Sequence, residues 1–206
     1  MNSRTQRLTL PGPAGALECA LDEPDAVAPV GLAVICHPHP QHGGTMDNKV
    51  VQTLARSWLQ LGWRTLRFNF RGVGASEGHW DQGQGEIDDA CAVVQGALQP
   101  GEALALGGFS FGGYVATHVA ARRPADQPAR RLVLVGPAVV NFPPAAVDVA
   151  KTLVIHGEQD EVVPLAAVLD WARPQVLPVT VVPGVGHFFH GQLGTLKHLV
   201  LAGCRP

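Results

Sequence analysis

Apolar residues in this chain fall into two kinds of segment: short continuous runs, and longer stretches in which they recur every three or four positions. Short continuous runs bounded by glycine, proline or polar residues are typical of strands buried on both faces of a sheet. The segments of this kind, which we predict to be strands, are residues 31–36, 63–70, 103–106, 131–135, 151–156 and 179–182.

Helical spacing marks several of the segments that follow these strands. Asp47 or Asn48 is placed to cap a helix that stops at Gly62, and Glu86 opens a second helix. Further helices are predicted over residues 114–122, over residues 164–171, and from Phe189 or Gly191 to Leu201. Before all of these, two short apolar runs between residues 8 and 21 flank a Pro/Gly-rich turn and predict a β-hairpin.

The alternation of strand and helix predicts the α/β class, with a mostly parallel, twisted sheet, an N-terminal antiparallel hairpin, and helices on both faces. A chain of 206 residues with 46% hydrophobic and 16% charged residues has the length and the interior of one domain, which we predict to span residues 1–206. Such sheets bind ligands at the C-terminal ends of their strands, so the loops at those ends are where candidate chemistry is expected.

Charge narrows the choice of partner. The formal net charge is −2 at pH 7, and no run of like charges occurs. We therefore expect no nucleic-acid or membrane surface and a small molecule as the partner, with a homodimer as an option that the sequence leaves open. Residues 1–7 lead into only a short apolar patch, and no stretch of about 20 apolar residues occurs, so the expected location is the cytoplasm.

The strand predicted over residues 103–106 runs into the pattern Gly108-x-Ser110-x-Gly112 just ahead of a predicted helix. This pattern in this context is typical of a nucleophile elbow, in which the serine takes a strained conformation and its neighbours must be glycine. The alternative is an ordinary glycine-rich turn between a strand and a helix.

A serine nucleophile needs a histidine as base and an acid that orients the histidine, here expected in the chain order serine, acid, histidine. Asp160 follows the strand predicted over 151–156, and His187 follows the strand over 179–182. For Asp160 the alternative role is a helix N-cap. The other candidates considered are Glu158, Glu161 and Asp148 for the acid and His190 and His156 for the base.

The attack also creates an oxyanion, which backbone N–H groups stabilise. Phe111, directly after Ser110, is expected to supply one of them, and the loop over residues 37–45 the other. Proline has no N–H, which excludes Pro38 and Pro40 and leaves His39 as the first choice. The residues expected to line the substrate pocket are His37, His42, Gly43, Gly44, Phe109 and Phe188.

Two sequence features resemble cofactor sites without meeting their requirements. The histidines of loop 37–45, with His79, suggest a metal site, but the adjacent prolines limit how the rings converge and no acidic or cysteine cluster accompanies them. Residues 72–78 resemble a dinucleotide fingerprint, but Glu77 stands where the third glycine belongs and would repel a pyrophosphate. We therefore expect neither a metal nor another cofactor.

With these motifs in view, the chain resembles the α/β-hydrolases, and within them a small bacterial group related to dienelactone hydrolases and acylaminoacyl-peptidase-like enzymes. The segments that carry the resemblance are Cys36–Pro40, Gly43–Lys49, Arg67–Ser76, Gly108–Gly112, His156–Asp160 and Gly186–His187. The resemblance implies the α/β-hydrolase fold and implies Ser110, Asp160 and His187 as the triad. It does not identify a substrate.

Relatives of this kind usually carry a cap domain after the strand that follows the elbow helix. Here only about 14 residues, 137–150, separate that strand from the next, so we expect no lid and an open, shallow site. The sequence therefore predicts a serine hydrolase that cleaves a small carboxylic ester through an acyl-enzyme. The alternatives are a peptidase, a thioesterase or an acyltransferase with the same triad and, from a different class, a non-catalytic binding module.

Overall fold

Eight strands form one sheet in the computed structural model of the protein, which describes residues 5–25 and 28–205. They are β1 (Gln6–Gly12), β2 (Gly15–Asp22), β3 (Gly31–Cys36), β4 (Arg64–Phe68), β5 (Ala103–Phe109), β6 (Arg131–Val135), β7 (Thr152–Gly157) and β8 (Val179–Val182). Their order across the sheet is β1-β2-β4-β3-β5-β6-β7-β8. Residues 1–4, part of the segment from which a cytoplasmic location is expected, lie outside the described residues.

The sheet is antiparallel only at its N-terminal edge, where β1 pairs with β2 and β2 with β4. Every other neighbouring pair is parallel, so the C-terminal ends of β3, β5, β6, β7 and β8 all lie on the same side of the sheet. The predicted fold class is confirmed. That residues 1–206 form one domain stays a prediction.

The helices are α1 (Lys49–Gln60), α2 (Gln84–Ala97), α3 (Phe111–Ala121), α4 (Leu165–Ala172) and α5 (Leu193–Gly203). Successive strand residues point to opposite faces of a sheet. Val34 of β3 therefore packs in the core shared with α2, α3 and α4, while its neighbour Ile35 packs in the core shared with α1 and α5. Both faces of the sheet are covered, which explains the continuous apolar runs.

Three helices begin two or more residues away from their predicted starts, and α4 begins one residue later, at Leu165. α2 begins at Gln84, two residues before Glu86, and α3 begins at Phe111, directly after the elbow serine. α5 begins at Leu193, so a start at Phe189 or Gly191 is wrong. Phe189 has φ 52° and Gly191 has φ 71°, and a right-handed helix cannot include such left-handed conformations.

The connection from β6 to β7 carries no lid: within it the structure has only a single short 3₁₀ turn, Val149–Lys151. The absence of a cap domain is thus confirmed. None of the helices within 5–25 and 28–205 is long and apolar enough to cross a membrane.

Candidate active site

Ser110 lies on the tight turn between β5 and α3, with φ 54° and ψ −120°. This is the left-handed side of conformational space, which a residue with a Cβ adopts only under constraint from its surroundings. A Cβ at Gly108 would overlap the Gly112 carbonyl oxygen, and a Cβ at Gly112 would overlap the Cys36 carbonyl oxygen. The two glycines of the pattern are therefore required by close backbone packing, as the elbow interpretation predicts.

Backbone hydrogen bonds hold the strained residue in place. The Ser110 N–H donates to the Val135 carbonyl of β6 (2.9 Å), and the Ser110 carbonyl accepts from the Gly113 N–H (2.8 Å) and the Ala138 N–H (3.2 Å). The side chain makes no capping hydrogen bond to α3. The Ser110 backbone is therefore held at the C-terminal end of β5, and its hydroxyl does not cap α3.

Asp160 follows β7 and has different partners for its two carboxylate oxygens. Oδ1 accepts from the N–H groups of Val162 (2.9 Å) and Val163 (2.7 Å), and Oδ2 lies 2.7 Å from His187 Nδ1. Asp160 therefore caps the turn that follows it through Oδ1 and contacts His187 through Oδ2. Burial alone raises the pKa of Asp160, but the hydrogen bonds from His187 and the Val163 N–H, with the nearby imidazoles, outweigh it and hold the pKa below its usual value.

His187, in the loop after β8, is buried with 5% of its surface exposed. A carboxylate only accepts hydrogen bonds, so the neutral imidazole carries its proton on Nδ1 and leaves Nε2 as a free base. Its ring packs on Phe109, with centroids 4.8 Å apart. The hydrogen bonds of the described residues include none between this ring and the Ser110 hydroxyl, and such bonds often tighten only when a substrate binds.

Gly136 lies between the His187 imidazole and the elbow, and no sequence motif marks it. It follows Val135, whose carbonyl holds the Ser110 N–H, and it has φ 49°. A Cβ at Gly136 would lie 3.3 Å from His187 Cε1 and Nδ1 and 3.4 Å from Asp160 Oδ2. The His187 imidazole and the Asp160 carboxylate therefore pack against this glycine, at the end of the strand beside the elbow.

We expect Gly136→Ala to lower kcat by about 10- to 100-fold, because the added methyl group shifts an imidazole whose position must hold to within an ångström. The left-handed backbone should also cost about 1–2 kcal/mol of stability. Gly101→Ala is the matched control, because Gly101 also has a positive φ (76°) but nothing lies within 4 Å of its Cβ position. The control should lose stability without losing kcat in an ester hydrolysis assay, and equal kcat values for the two variants would contradict the placement.

The other candidates for acid and base have different environments. Glu158 Oε2 accepts from the Gly184 N–H (2.9 Å), and Asp148 accepts from the Ala150 N–H (3.1 Å) and pairs with Lys151. Glu161 and His190 are exposed. None of these four has a hydrogen bond to Ser110 or His187 among the described residues.

His156 is fully buried, and its Nε2 lies 2.9 Å from the Val163 carbonyl oxygen and 3.5 Å from Asp160 Oδ2. Burial is the main cause that lowers its pKa, against the attraction of Asp160. His156 therefore contacts both the Asp160 carboxylate and the turn that follows it at Val163.

The two N–H groups predicted for the oxyanion hole are those of Phe111 and His39. Phe111 is the first residue of α3, where N–H groups have no partner within the helix. His39 precedes the 3₁₀ turn Pro40–His42, and its ring contacts the Phe111 ring at 5.3 Å between centroids. No hydrogen bond within the described residues uses the backbone N–H of His39 or of Phe111.

His37 does not line the site, contrary to expectation. Its imidazole is fully buried, with Nε2 accepting from the Phe70 N–H (3.1 Å) and Nδ1 donating to the Pro38 carbonyl (2.6 Å). Burial lowers the pKa of His37 to about 3, because a proton on Nε2 would be unsolvated and would break the bond to Phe70. His37 ties the loop after β3 to the segment after β4.

This histidine should make the fold sensitive to acid. Between its folded pKa of about 3 and its unfolded pKa of about 6.5, only the unfolded chain binds the proton, so stability falls as pH falls through this window. From pH 7 to pH 5, the His37 contribution to the free energy of unfolding should drop by about 2 kcal/mol. Urea unfolding at both pH values should show a loss smaller by that amount in His37→Gln, and equal losses would contradict the account.

A cavity of about 220 Å³ opens beside the elbow serine. Of the predicted site residues, His39, His42, Ser110 and Phe111 line it. The other lining residues, which the sequence did not single out, are Ala138, Val140, Asn141, Phe142, Val162 and Val163. They come from the connection between β6 and β7 and from the turn after Asp160, so only the fold brings them together.

The remaining predicted pocket residues lie outside this cavity. Phe109 is fully buried beneath His187, and Gly44 is buried against the Pro38 carbonyl. Gly43 is exposed at the end of the 3₁₀ turn, with φ 77°. Phe188 is 45% exposed and stands edge-on to the His187 ring, and it does not line the cavity. No group of three or more metal-ligating side chains occurs within residues 5–25 and 28–205.

Comparisons with known proteins agree with this fold. A family model described as serine aminopeptidase, S33, matches residues 29–151. A crystal structure from Xanthomonas campestris, described as an α/β serine hydrolase without a lid, is 39% identical with a TM-score of 0.87, covering 98% of this chain and 94% of that one. An α/β serine hydrolase homologue from Coxiella burnetii is 38% identical with a TM-score of 0.84, covering 97% of each chain.

An uncharacterized protein of Rickettsia prowazekii is 41% identical over 96 residues, which are 45% of this chain and only 40% of that protein. The chain thus spans less than half of the length of this relative. The family model covers more than half of the chain, and the two crystal structures cover nearly all of it. The chain therefore belongs to the α/β-hydrolase superfamily, in its small group of serine hydrolases without a lid.

Proposed function

We propose that this hydrolase cleaves small carboxylic esters through an acyl-enzyme intermediate formed on Ser110. The observation that carries the proposal is the buried Asp160–His187 hydrogen bond of 2.7 Å, resting on Gly136 beside the strained serine. A nucleophile on a strand-to-helix turn, with a base that is itself held by an acid, is the arrangement that serine acyl transfer requires.

In the proposed reaction, His187 Nε2 takes the hydroxyl proton while Ser110 Oγ attacks the carbonyl carbon. The N–H groups of Phe111 and His39 stabilise the resulting oxyanion, and the Asp160 carboxylate stabilises the imidazolium. The imidazolium then protonates the departing alkoxide, which leaves the acyl group on Ser110. A water molecule, deprotonated by His187, releases the carboxylic acid and restores the hydroxyl.

The dimensions of the site favour a small substrate. The cavity of about 220 Å³ lies below the range of roughly 300–1,000 Å³ that is usual for pockets that enclose a drug-sized ligand. The connection between β6 and β7 forms its wall without covering it. A short ester fits this opening, whereas a long acyl chain would extend into water.

Partitioning of the acyl group tests the intermediate. With methanol added as a second acceptor, p-nitrophenyl and phenyl esters of one acid should give the same ratio of methyl ester to free acid, because both pass through the same acyl-enzyme. A ratio that changes with the leaving group would contradict a common intermediate. A strong excess of methyl ester would favour the acyltransferase alternative.

The peptidase alternative draws support from the description of the matching family model as a serine aminopeptidase. A p-nitrophenyl ester, a p-nitroanilide and a thioester of one short acid separate the alternatives. When kcat/KM for each substrate is divided by the rate of its uncatalysed hydrolysis, we expect the ester to give the highest value. The non-catalytic alternative requires that none of the three substrates is turned over.

A further inference from the structure

Aromatic rings cluster on one side of the cavity beside Ser110. The half-buried Phe142 and His39 both line it, with ring centroids 5.5 Å apart. Trp80 contacts His39 at 4.5 Å and Phe142 at 6.3 Å between ring centroids. Phe111, which also lines the cavity, contacts Phe142 at 4.9 Å. These separations lie within the 4.5–7 Å at which aromatic pairs attract each other.

Apolar side chains border the mouth of the same cavity. Val140 and Val162 line it, and each is 59% exposed. They are among the most exposed large apolar side chains of the described residues. Exposed apolar groups around a concave site mark a surface that an apolar ligand covers.

The volume sets the size of that ligand. An engineered apolar cavity of about 150 Å³ holds benzene in another protein. The present cavity of about 220 Å³ therefore has room for one six-membered ring and a linker of two or three atoms.

The position of the cavity decides which half of the ester enters it. The leaving oxygen must lie within reach of His187 Nε2, which protonates it. His187 does not line the cavity, whereas Ser110 and both oxyanion residues, Phe111 and His39, do. A group that fills the cavity is therefore joined to the carbonyl carbon on the acyl side.

We propose that this cavity is an acyl-binding pocket for aryl or arylalkyl carboxylic acids of the size of 3-phenylpropanoate. The ring packs against Phe142 and His39, and the linker passes the oxyanion N–H groups to the Ser110 ester. The proposal rests on the proposed ester hydrolysis and adds its acyl specificity. The alcohol half remains outside, on the side of Phe188.

Three p-nitrophenyl esters test it: the butanoate, the 3-phenylpropanoate and the 3-cyclohexylpropanoate. All have the same leaving group and a methylene beside the carbonyl, so their chemical reactivity is similar. We expect kcat/KM for the phenyl ester to exceed that of the butanoate by about tenfold or more, from burial of the ring. It should exceed that of the cyclohexyl ester by about three- to tenfold, from contacts between aromatic rings.

The variant Phe142→Leu keeps an apolar wall and removes one ring, so the ratio of phenyl to cyclohexyl kcat/KM should fall towards one. The matched control Phe188→Leu, beside His187 and outside the cavity, should keep the wild-type ratio. A wild-type enzyme without preference for the phenyl ester, or a Phe142→Leu variant with an unchanged ratio, overturns the acyl pocket.

Failure of the proposed function gives a different result. If the butanoate is hydrolysed and Ser110→Ala abolishes that hydrolysis, ester hydrolysis stands whatever the preference among acyl groups. If none of the three esters is hydrolysed and a fluorophosphonate does not label Ser110, the proposed function fails and the acyl pocket is overturned with it.

Discussion

Ser110→Ala should lower kcat/KM for p-nitrophenyl butanoate by at least about 10³-fold, because no other group can form the acyl-enzyme. The remaining activity would come from water attack assisted by the oxyanion N–H groups. Alanine keeps the Cβ and the backbone contacts with Val135 and Gly113, so the free energy of unfolding should change little. Initial rates and urea unfolding measure both quantities.

Ser76→Ala is the matched control for removing a buried hydroxyl. Ser76 Oγ donates to the Asn69 carbonyl (2.7 Å) and accepts from the Glu18 N–H (2.9 Å). Its loss should cost about 1–3 kcal/mol of stability and leave kcat/KM near the wild-type value. If Ser110→Ala keeps more than a tenth of the activity, Ser110 is not the nucleophile.

Asp160→Asn should lower kcat by about 10³- to 10⁴-fold near pH 7, because the amide turns the imidazole to the wrong tautomer. The amide oxygen can still accept from the Val162 and Val163 N–H groups, so the local turn survives. Steady-state kinetics of the purified variant measure the loss, and circular dichroism checks the fold.

Glu158→Gln is the matched control, since Glu158 is a carboxylate two residues away that holds only the Gly184 N–H. We expect its kcat to stay within about threefold of the wild type, as is usual for an exposed group away from the chemistry. A larger loss in Glu158→Gln than in Asp160→Asn would transfer the role of the acid to Glu158.

The strands in the middle of the sheet follow from the sequence because both of their faces are buried. Residues 31–36 and 131–135 match β3 and β6 without error, since two layers of helices bury almost every position in these runs. Residues 179–182 also match β8, although β8 is the edge strand and only Val182 in it is buried. Ser110, Asp160 and His187 follow β5, β7 and β8, which run parallel, so their position at the C-terminal ends of the strands was predictable.

Backbone conformation at the loops was less predictable. Phe189 adopts a left-handed conformation that its residue type disfavours, which delays the start of α5 to Leu193. Nothing local in the sequence signals such a φ; the surrounding packing imposes it. The early start of α3 is similarly hidden by its glycines, whose helix propensity is low although the elbow requires them.

The cavity wall depended on contacts between distant segments. Phe142 and Val140 lie in the connection between β6 and β7, and this connection lines the cavity. His37 lies in a loop next to the site, but its imidazole is buried and accepts from the N–H of Phe70, 33 positions away in the chain. Sequence spacing predicted which candidate residues share the C-terminal ends of the strands, but not the shape of the cavity beside them.

Labelling with a fluorophosphonate, located by peptide mass spectrometry, tests the central claim most directly. The account predicts one adduct per chain, on Ser110, which is absent in Ser110→Ala and forms much more slowly in His187→Ala because the hydroxyl then lacks its base. No adduct on the folded protein, or an adduct on Ser57 or Ser76 instead of Ser110, would contradict it.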